Sequence, residues 1–98
     1  MLHVIWEYDV RPGMESSFEA LYGPDGAWAA LFREHPGFAG TELLRSDRPG
    51  RYLTIDRWQS EEAYDAFLAG ARERYAAIDA MGDAMTADER RIGRWFTC

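Results

Sequence analysis

The sequence is short of cysteine, of histidine and of positive charge. Its one cysteine, Cys98, cannot form an internal disulfide, which fits a reducing compartment, so a cytoplasmic protein is expected. Two histidines, His3 and His35, have neither the i, i+4 nor the loop spacing of a metal site, so no metal centre is expected. Eleven basic against seventeen acidic side chains leave a net charge of −6. That surface repels phosphate backbones and anionic lipid, so neither nucleic acid nor membrane is expected as a partner. No long apolar run or basic leader stands in Met1 to Val10, so neither a signal peptide nor a span is read there. There is no glycine-rich phosphate loop, and no serine stands where a histidine is placed beside it. What is plentiful is aromatic: four Trp, five Tyr and five Phe in 98 residues. A chain of this length forms one domain, residues 1–98, and buries roughly 60–65 % of its unfolded surface. More aromatic surface than so thin a core covers points to an oligomer or a ligand site.

Apolar periodicity divides the chain into elements. Leu2, Val4, Trp6, Tyr8 and Val10 alternate with His3, Ile5, Glu7 and Asp9, the pattern of a strand with one face on a core. From Met14 to Tyr22 the spacing becomes helical, through Phe18 and Leu21. Gly23-Pro24 halts that helix, glycine suiting the left-handed C-terminal position. Asp25 is then expected to cap a second piece carrying Trp28, Leu31 and Phe32, which His35-Pro36-Gly37 ends. Phe38–Arg45 and Arg51–Trp58 read as a hairpin across a Pro49-Gly50 turn. Ser60 is placed to cap one helix running to about Met81 or Met85, with a stripe of Tyr64, Phe67, Leu68, Ala71, Tyr75 and Ile78. A last strand is read over Arg90 to Phe96.

The order β-α-β-β-α-β is the split arrangement of a ferredoxin-like α+β fold, an antiparallel sheet with its helices on one face. The other face is left bare. It carries Ile5 on the first strand and Leu53 and Ile55 on the third. A second copy stacked against it would bury them, so a homodimer through the open sheet face is expected.

The run Tyr52-Leu53-Thr54-Ile55-Asp56-Arg57-Trp58-Gln59-Ser60-Glu61-Glu62-Ala63-Tyr64, with Val10-Arg11-Pro12-Gly13 and Pro36-Gly37-Phe38-Ala39-Gly40, resembles the antibiotic biosynthesis monooxygenase family of the dimeric α/β barrel superfamily. The likeness extends over nearly the whole chain, and Trp58, Ser60, Ala63 and Tyr64 form its most specific part. It implies a dimeric α/β barrel with a pocket between sheet and helices in each subunit. Some relatives oxygenate polycyclic phenols with molecular oxygen and no metal, flavin or haem, so no cofactor is implied. Their site tryptophan and tyrosine correspond to Trp58 and Tyr64, and Thr54 stands where they carry asparagine. The haem-degrading branch needs an asparagine, a tryptophan and a histidine where this chain has Trp6, Phe67 and Ala77, which leaves no axial ligand for iron.

Cofactor-free oxygenation requires a dry aromatic pocket, a proton acceptor, and donors near the developing anion. Strand parity puts Thr54, Asp56 and Trp58 on one face. A carboxylate held among Trp6, Trp58, Tyr64 and Phe67 would be pushed upward by desolvation toward the range of a general base. The candidate catalytic set is therefore Asp56, Trp58 and Tyr64, with Trp6, Thr54, Phe67 and Tyr75 around a small aromatic substrate. The plainer alternative pairs Asp56 with an arginine such as Arg91 and leaves the aromatics as packing. At the level of function the alternatives are a non-catalytic small-molecule-binding dimer, or a polyketide cyclase or isomerase of the same superfamily.

Overall fold

A computed structural model describes all 98 residues. Strand β1 (Leu2–Val10) leads to helices α1 (Glu15–Tyr22) and α2 (Ala27–Arg33). The hairpin β2 (Phe38–Arg45) and β3 (Arg51–Trp58) follows, then α3 (Glu61–Gly70), α4 (Arg72–Asp83) and β4 (Thr86–Phe96). The four strands form one antiparallel sheet in the order β2-β3-β1-β4, with the helices on one face. The ferredoxin-like α+β expectation holds.

The alternating pattern of β1 does what period two dictates. Leu2, Val4, Tyr8 and Val10 are buried with Trp6 half-buried on the same face, while His3, Ile5, Glu7 and Asp9 are half-buried on the open face. The hairpin turn closes with the Ser46 amide donating to the Arg51 carbonyl at 2.9 Å. Gly50 there has φ +79°, a left-handed conformation open to glycine and costly to most residues. Ser60 caps α3, its hydroxyl accepting from the Ala63 amide at 3.1 Å.

Four local expectations need correction. Asp25 is not a cap: Gly26 holds the N-terminal position of α2, with no side-chain bond. Gly23 ends α1 in extended conformation, φ −73°, not left-handed. Glycine is needed there because a Cβ would lie 2.7 Å from the Glu19 carbonyl oxygen. The long second helix is two, broken at Ala71, whose φ of −114° leaves the helical region. The last strand begins at Thr86, four residues earlier than read.

The core is an aromatic stack between helices and sheet. Phe18 lies against Tyr22 with centroids 4.1 Å apart, and Tyr8 and Tyr52 close on Phe18 at 5.2 and 4.9 Å. Rings in offset or edge contact add about 0.5–1.5 kcal/mol per pair beyond the area they bury. One end of this layer, above β1 and β3, is left hollow.

Candidate functional site

The hollow lies between the helix face of the sheet and helices α1, α2, α3 and α4. The space inside it open to a water-sized sphere is about 40 Å³, room for water alone, so a bound ring system needs the lining side chains to move apart. Its floor is strand: Trp6 and Tyr8 from β1, Thr41 from β2, Thr54 and Asp56 from β3 and Glu89 from β4. Its walls and roof are Tyr22, Trp28, Phe32, Tyr64, Tyr75 and Asp79. Three carboxylates line it and no cation does.

Asp56 is half-buried, and its one hydrogen bond comes from Thr41, whose hydroxyl donates to Oδ1 at 2.6 Å. Thr41 faces it across the hairpin because the register pairs the two residues. Desolvation pushes the Asp56 carboxyl from 3.8 up to about 6, with the Thr41 hydroxyl pulling the other way. Arg91, the partner weighed for Asp56, is exposed. The salt bridges of the sheet instead join Arg51 to Asp9, Arg57 to Glu42, and Arg90 to Glu7, Asp9 and Asp88.

Beside the carboxylates, the hydroxyls that line the hollow are neutral donors or acceptors. The Thr54 hydroxyl points to the Tyr8 hydroxyl at 3.4 Å, and burial holds the Tyr8 phenol well above its usual range. Burial raises Tyr64 as well, with Asp56 adding to the effect and Arg94 opposing it. The Arg94 guanidinium sits 5.0 Å from the Tyr64 ring centroid, anchored to Glu61 and Asp65 at 2.8 and 2.9 Å. That clamp fixes the Tyr64 ring at the edge of the hollow.

Of the residues expected at a site, Trp6, Thr54, Asp56, Tyr64 and Tyr75 are brought together round this one cavity. Trp58 and Phe67 are not in its lining. Trp58 is fully buried (0 % exposed), with Phe32, Phe38, Tyr64 and Phe67 within 5.1–5.8 Å centroid to centroid. Its indole N–H has no partner. It stands behind Tyr64 as support for the cavity wall.

Sequence reading missed Tyr8, Tyr22, Trp28, Phe32, Thr41, Asp79 and Glu89. Tyr8 was available by parity, since it shares a face with Trp6. Glu89 was lost because the last strand was begun one residue after it, and the true register sets it beside Tyr8. Asp79 was lost with the unrecognised turn between α3 and α4.

Comparison with known proteins supplies the context. Residues 1–78 match the family model for antibiotic biosynthesis monooxygenase. The fold is shared with SnoaB of Streptomyces nogalater, described as a cofactor-independent oxygenase (22 % identity, TM-score 0.78, 99 % of this chain and 92 % of that one). It is shared too with Rv0793 of Mycobacterium tuberculosis (18 % identity, TM-score 0.70, 99 % and 94 %), and with a conserved protein of Methanosarcina mazei (15 %, 0.74, 99 % and 92 %). Arginine–tRNA ligases of Anaeromyxobacter are 28 % identical over 69 residues, which is 68 % of this chain. The match spans only 11 % of the ligases' length, and at that share it carries no inference about aminoacylation. With a match over most of its length, the chain belongs to the antibiotic biosynthesis monooxygenase family.

Proposed function

We propose that the chain is a cofactor-independent monooxygenase of a small aromatic or quinone-like compound, with Asp56 as its general base. A monooxygenase-type role follows from the family, and the SnoaB likeness is consistent with chemistry that needs no cofactor. The observation that carries the reading is Asp56 itself. It is a carboxylate without a cation, lifted to about 6, in an aromatic hollow with one oxygen held by Thr41.

Asp56 removes a proton from the methylene carbon of a bound anthrone, or from the hydroxyl of a hydroquinone, and Thr41 keeps the carboxylate oriented. The electron-rich anion then reduces molecular oxygen, and the two recombine as a hydroperoxide. For an anthrone, loss of water from that hydroperoxide leaves one oxygen atom as the new carbonyl. The other departs as water with the two hydrogens of the oxidised carbon, so atoms and electrons balance. Tyr64 and Thr54 supply hydroxyl donors to the oxygen substituents of the anion, and Trp6 and Tyr75 keep the ring system out of water. Trp58 and Phe67 act through Tyr64 by packing.

A homodimer through the open sheet face, with Ile5, Leu53 and Ile55 at its centre, belongs to this reading. So does a cytoplasmic setting; no helix is long and apolar enough to cross a membrane.

Oxygen uptake with a panel of anthrones and hydroquinones tests it. One oxygen consumed per product is expected, with kcat/KM rising as pH climbs through about 6 and that limb absent in Asp56→Asn. Product without oxygen uptake would make the chain a cyclase or isomerase. Tight binding without turnover would make it a binding module, and an Asp56→Asn variant with unchanged rates would remove Asp56 from the mechanism.

A further inference from the structure

One row of side chains crosses the helix side of the sheet beneath Tyr64. Thr41, Asp56, Val4 and Arg94 pair in succession across β2, β3, β1 and β4, so they share a face. Two strand spacings, about 9–10 Å, separate the Asp56 and Arg94 backbones, with Val4 between them. On β4 this face is set by a register shift. Gly93 pairs with Ile5 and Arg91 with Trp6, which leaves Ile92 without a partner, and Gly93 takes φ +131° there. Simple alternation would put Arg91 and Arg94 on opposite faces. The extra residue brings both to the helix side, the re-aiming that such irregularities produce at sheet edges and beside active sites.

Of the paired arginines, Arg94 is the one set over an aromatic ring. Its Nη1 donates to Glu61 at 2.8 Å and its Nη2 to Asp65 at 2.9 Å. These acids stand four residues apart on α3, one turn of the helix that carries Tyr64. The guanidinium they spread lies 5.0 Å from the Tyr64 ring centroid. Both acids are exposed, and pairs so exposed contribute little to stability. What the fork does fix is the ring, which Trp58 and Phe67 back at 5.6 and 6.1 Å. The charges that face the Tyr64 hydroxyl come from three elements: Asp56 on β3, Arg94 and Arg91 on β4, and Asp65 on α3. The Tyr75 phenol faces it from α4. Burial raises the Tyr64 phenol most, Asp56 raises it further, and Arg94 and then Arg91 oppose them.

We propose that Arg94 is a positioning residue for the oxygenation, seating Tyr64 between the Asp56 carboxyl and the guanidinium as hydrogen-bond donor to the substrate anion. The role rests on the oxygenase reading. Proton transfer from the anthrone methylene breaks a C–H bond, forms an O–H bond on Asp56, and moves one negative charge from the carboxylate to the anthrone oxygen. Before the step, Asp56 is a competing negative charge beside the phenol. After it that charge is gone and the guanidinium's stays, so the Tyr64 O–H is most polarised when the anion needs a donor. Admitting a ring system parts the cavity lining, and a ring tied to both α3 and β4 stays in register with Asp56 as it does so. Arg94 does not itself line the hollow, so its action passes through Tyr64. An ion pair that only fastens β4 to α3 would instead act on stability, with nothing particular to the Tyr64 hydroxyl.

A double-mutant cycle tests it. Arg94→Met keeps the stem and removes the charge and the fork, while Tyr64→Phe keeps the ring and removes the hydroxyl. With the anthrone that is turned over fastest, Arg94→Met should lower kcat roughly ten- to a hundredfold and leave KM unchanged, because the lost interaction belongs to the transition state. In the Tyr64→Phe background the same change should cost about twofold or less. Arg94→Lys, which keeps the charge without the fork, should recover part of kcat. An equal loss in both backgrounds would overturn the proposal, as would a wild-type kcat in Arg94→Met. Thermal melts confirm folding, and should Arg94→Met fail to fold, Arg94→Lys carries the cycle in its place. NMR reads the clamp apart from turnover. The Arg94 side-chain protons should be shifted upfield by the ring beneath them and return in Tyr64→Leu; unshifted protons would also overturn it. If the oxygenase reading fails, no variant takes up oxygen while the ring-current shift stays. If the Arg94 role fails, uptake and its dependence on Asp56 remain and the cycle is additive.

Discussion

Asp56 is held in a state that costs the fold stability. Its carboxyl titrates at about 6 in the folded chain and near 3.8 when unperturbed, so the native state binds the proton more tightly than the unfolded chain does. Its contribution is therefore favourable below about pH 4 and is lost as pH rises from there through about 6. At neutral pH the ionised, desolvated group costs on the order of 2–3 kcal/mol. Asp56→Asn keeps an oxygen for the Thr41 hydroxyl and removes the buried charge. At pH 7 it should raise Tm by roughly 5–15 °C while oxygenation falls, and the two melting curves should converge near pH 4. Calorimetry across that range checks it. A destabilised Asn variant at pH 7 would mean that Asp56 is held by interactions stronger than its desolvation. A group that weakens the fold yet empties the pocket of function when replaced is what stability–activity trade-off predicts for an active site.

Among the elements, α4 is the one on which the pocket depends most and the one least legible beforehand. Its Gly82 lies where a Cβ would collide with the Tyr22 hydroxyl and crowd the ring carbons behind it, at 3.0 and 3.3 Å. Tyr22 is stacked on Phe18 at 4.1 Å, so it yields only at a cost in packing. Gly82→Ala should gain about 1 kcal/mol of helix propensity and lose about 2–3 kcal/mol, the upper part of the range for overpacking. A net destabilisation of about 1–2 kcal/mol in urea titration is expected, with weakened ligand binding as Tyr22 is pushed toward the cavity; a neutral result would show that α4 can slide. The strands were readable because β1 and β3 alternate with period two and place Trp6, Thr54 and Asp56 without further information. The α3–α4 break was not, because Ala71 is apolar, buried and a strong helix former. The one local mark is Gly70, the last residue of α3, and a single glycine inside a helical pattern is too weak a signal to place a break by itself. The start of β4 was missed because Thr-Ala-Asp-Glu reads as polar loop. It is an edge segment paired on one side only, with a register shift between Asp9 and Val10 on its neighbour.

At the scale of the whole molecule, the open sheet face is the unfinished part. Ile5 and Ile55 pair directly in register, with Leu44 opposite Leu53 on β2 and Trp95 opposite His3 on β4. Leu44 and Trp95 are 42 % and 57 % exposed. The charges on this face are already paired within the chain, Arg57 with Glu42 and Arg90 with Glu7, Asp9 and Asp88, so covering it strands few lone ions. One nitrogen of Arg90, Nη2, is buried without a partner, a donor for an acceptor on a facing copy. Four strands about 4.8 Å apart and about 26 Å long give a face of roughly 500 Å² before side-chain relief is counted, against roughly 800 Å² for one partner's share of a standard interface. Light scattering should therefore give twice the chain mass at micromolar concentration, with a Tm that rises with concentration as mass action requires. Ile55→Asp puts a carboxylate between Ile5 and Glu42, unpaired and desolvated in a dimer but hydrated in a monomer. It should shift the mass to a single chain and leave the monomer folded, since Ile55 faces away from the core and the cavity. A wild-type chain that stays monomeric at all concentrations would leave the face uncovered and the dimer proposal without support.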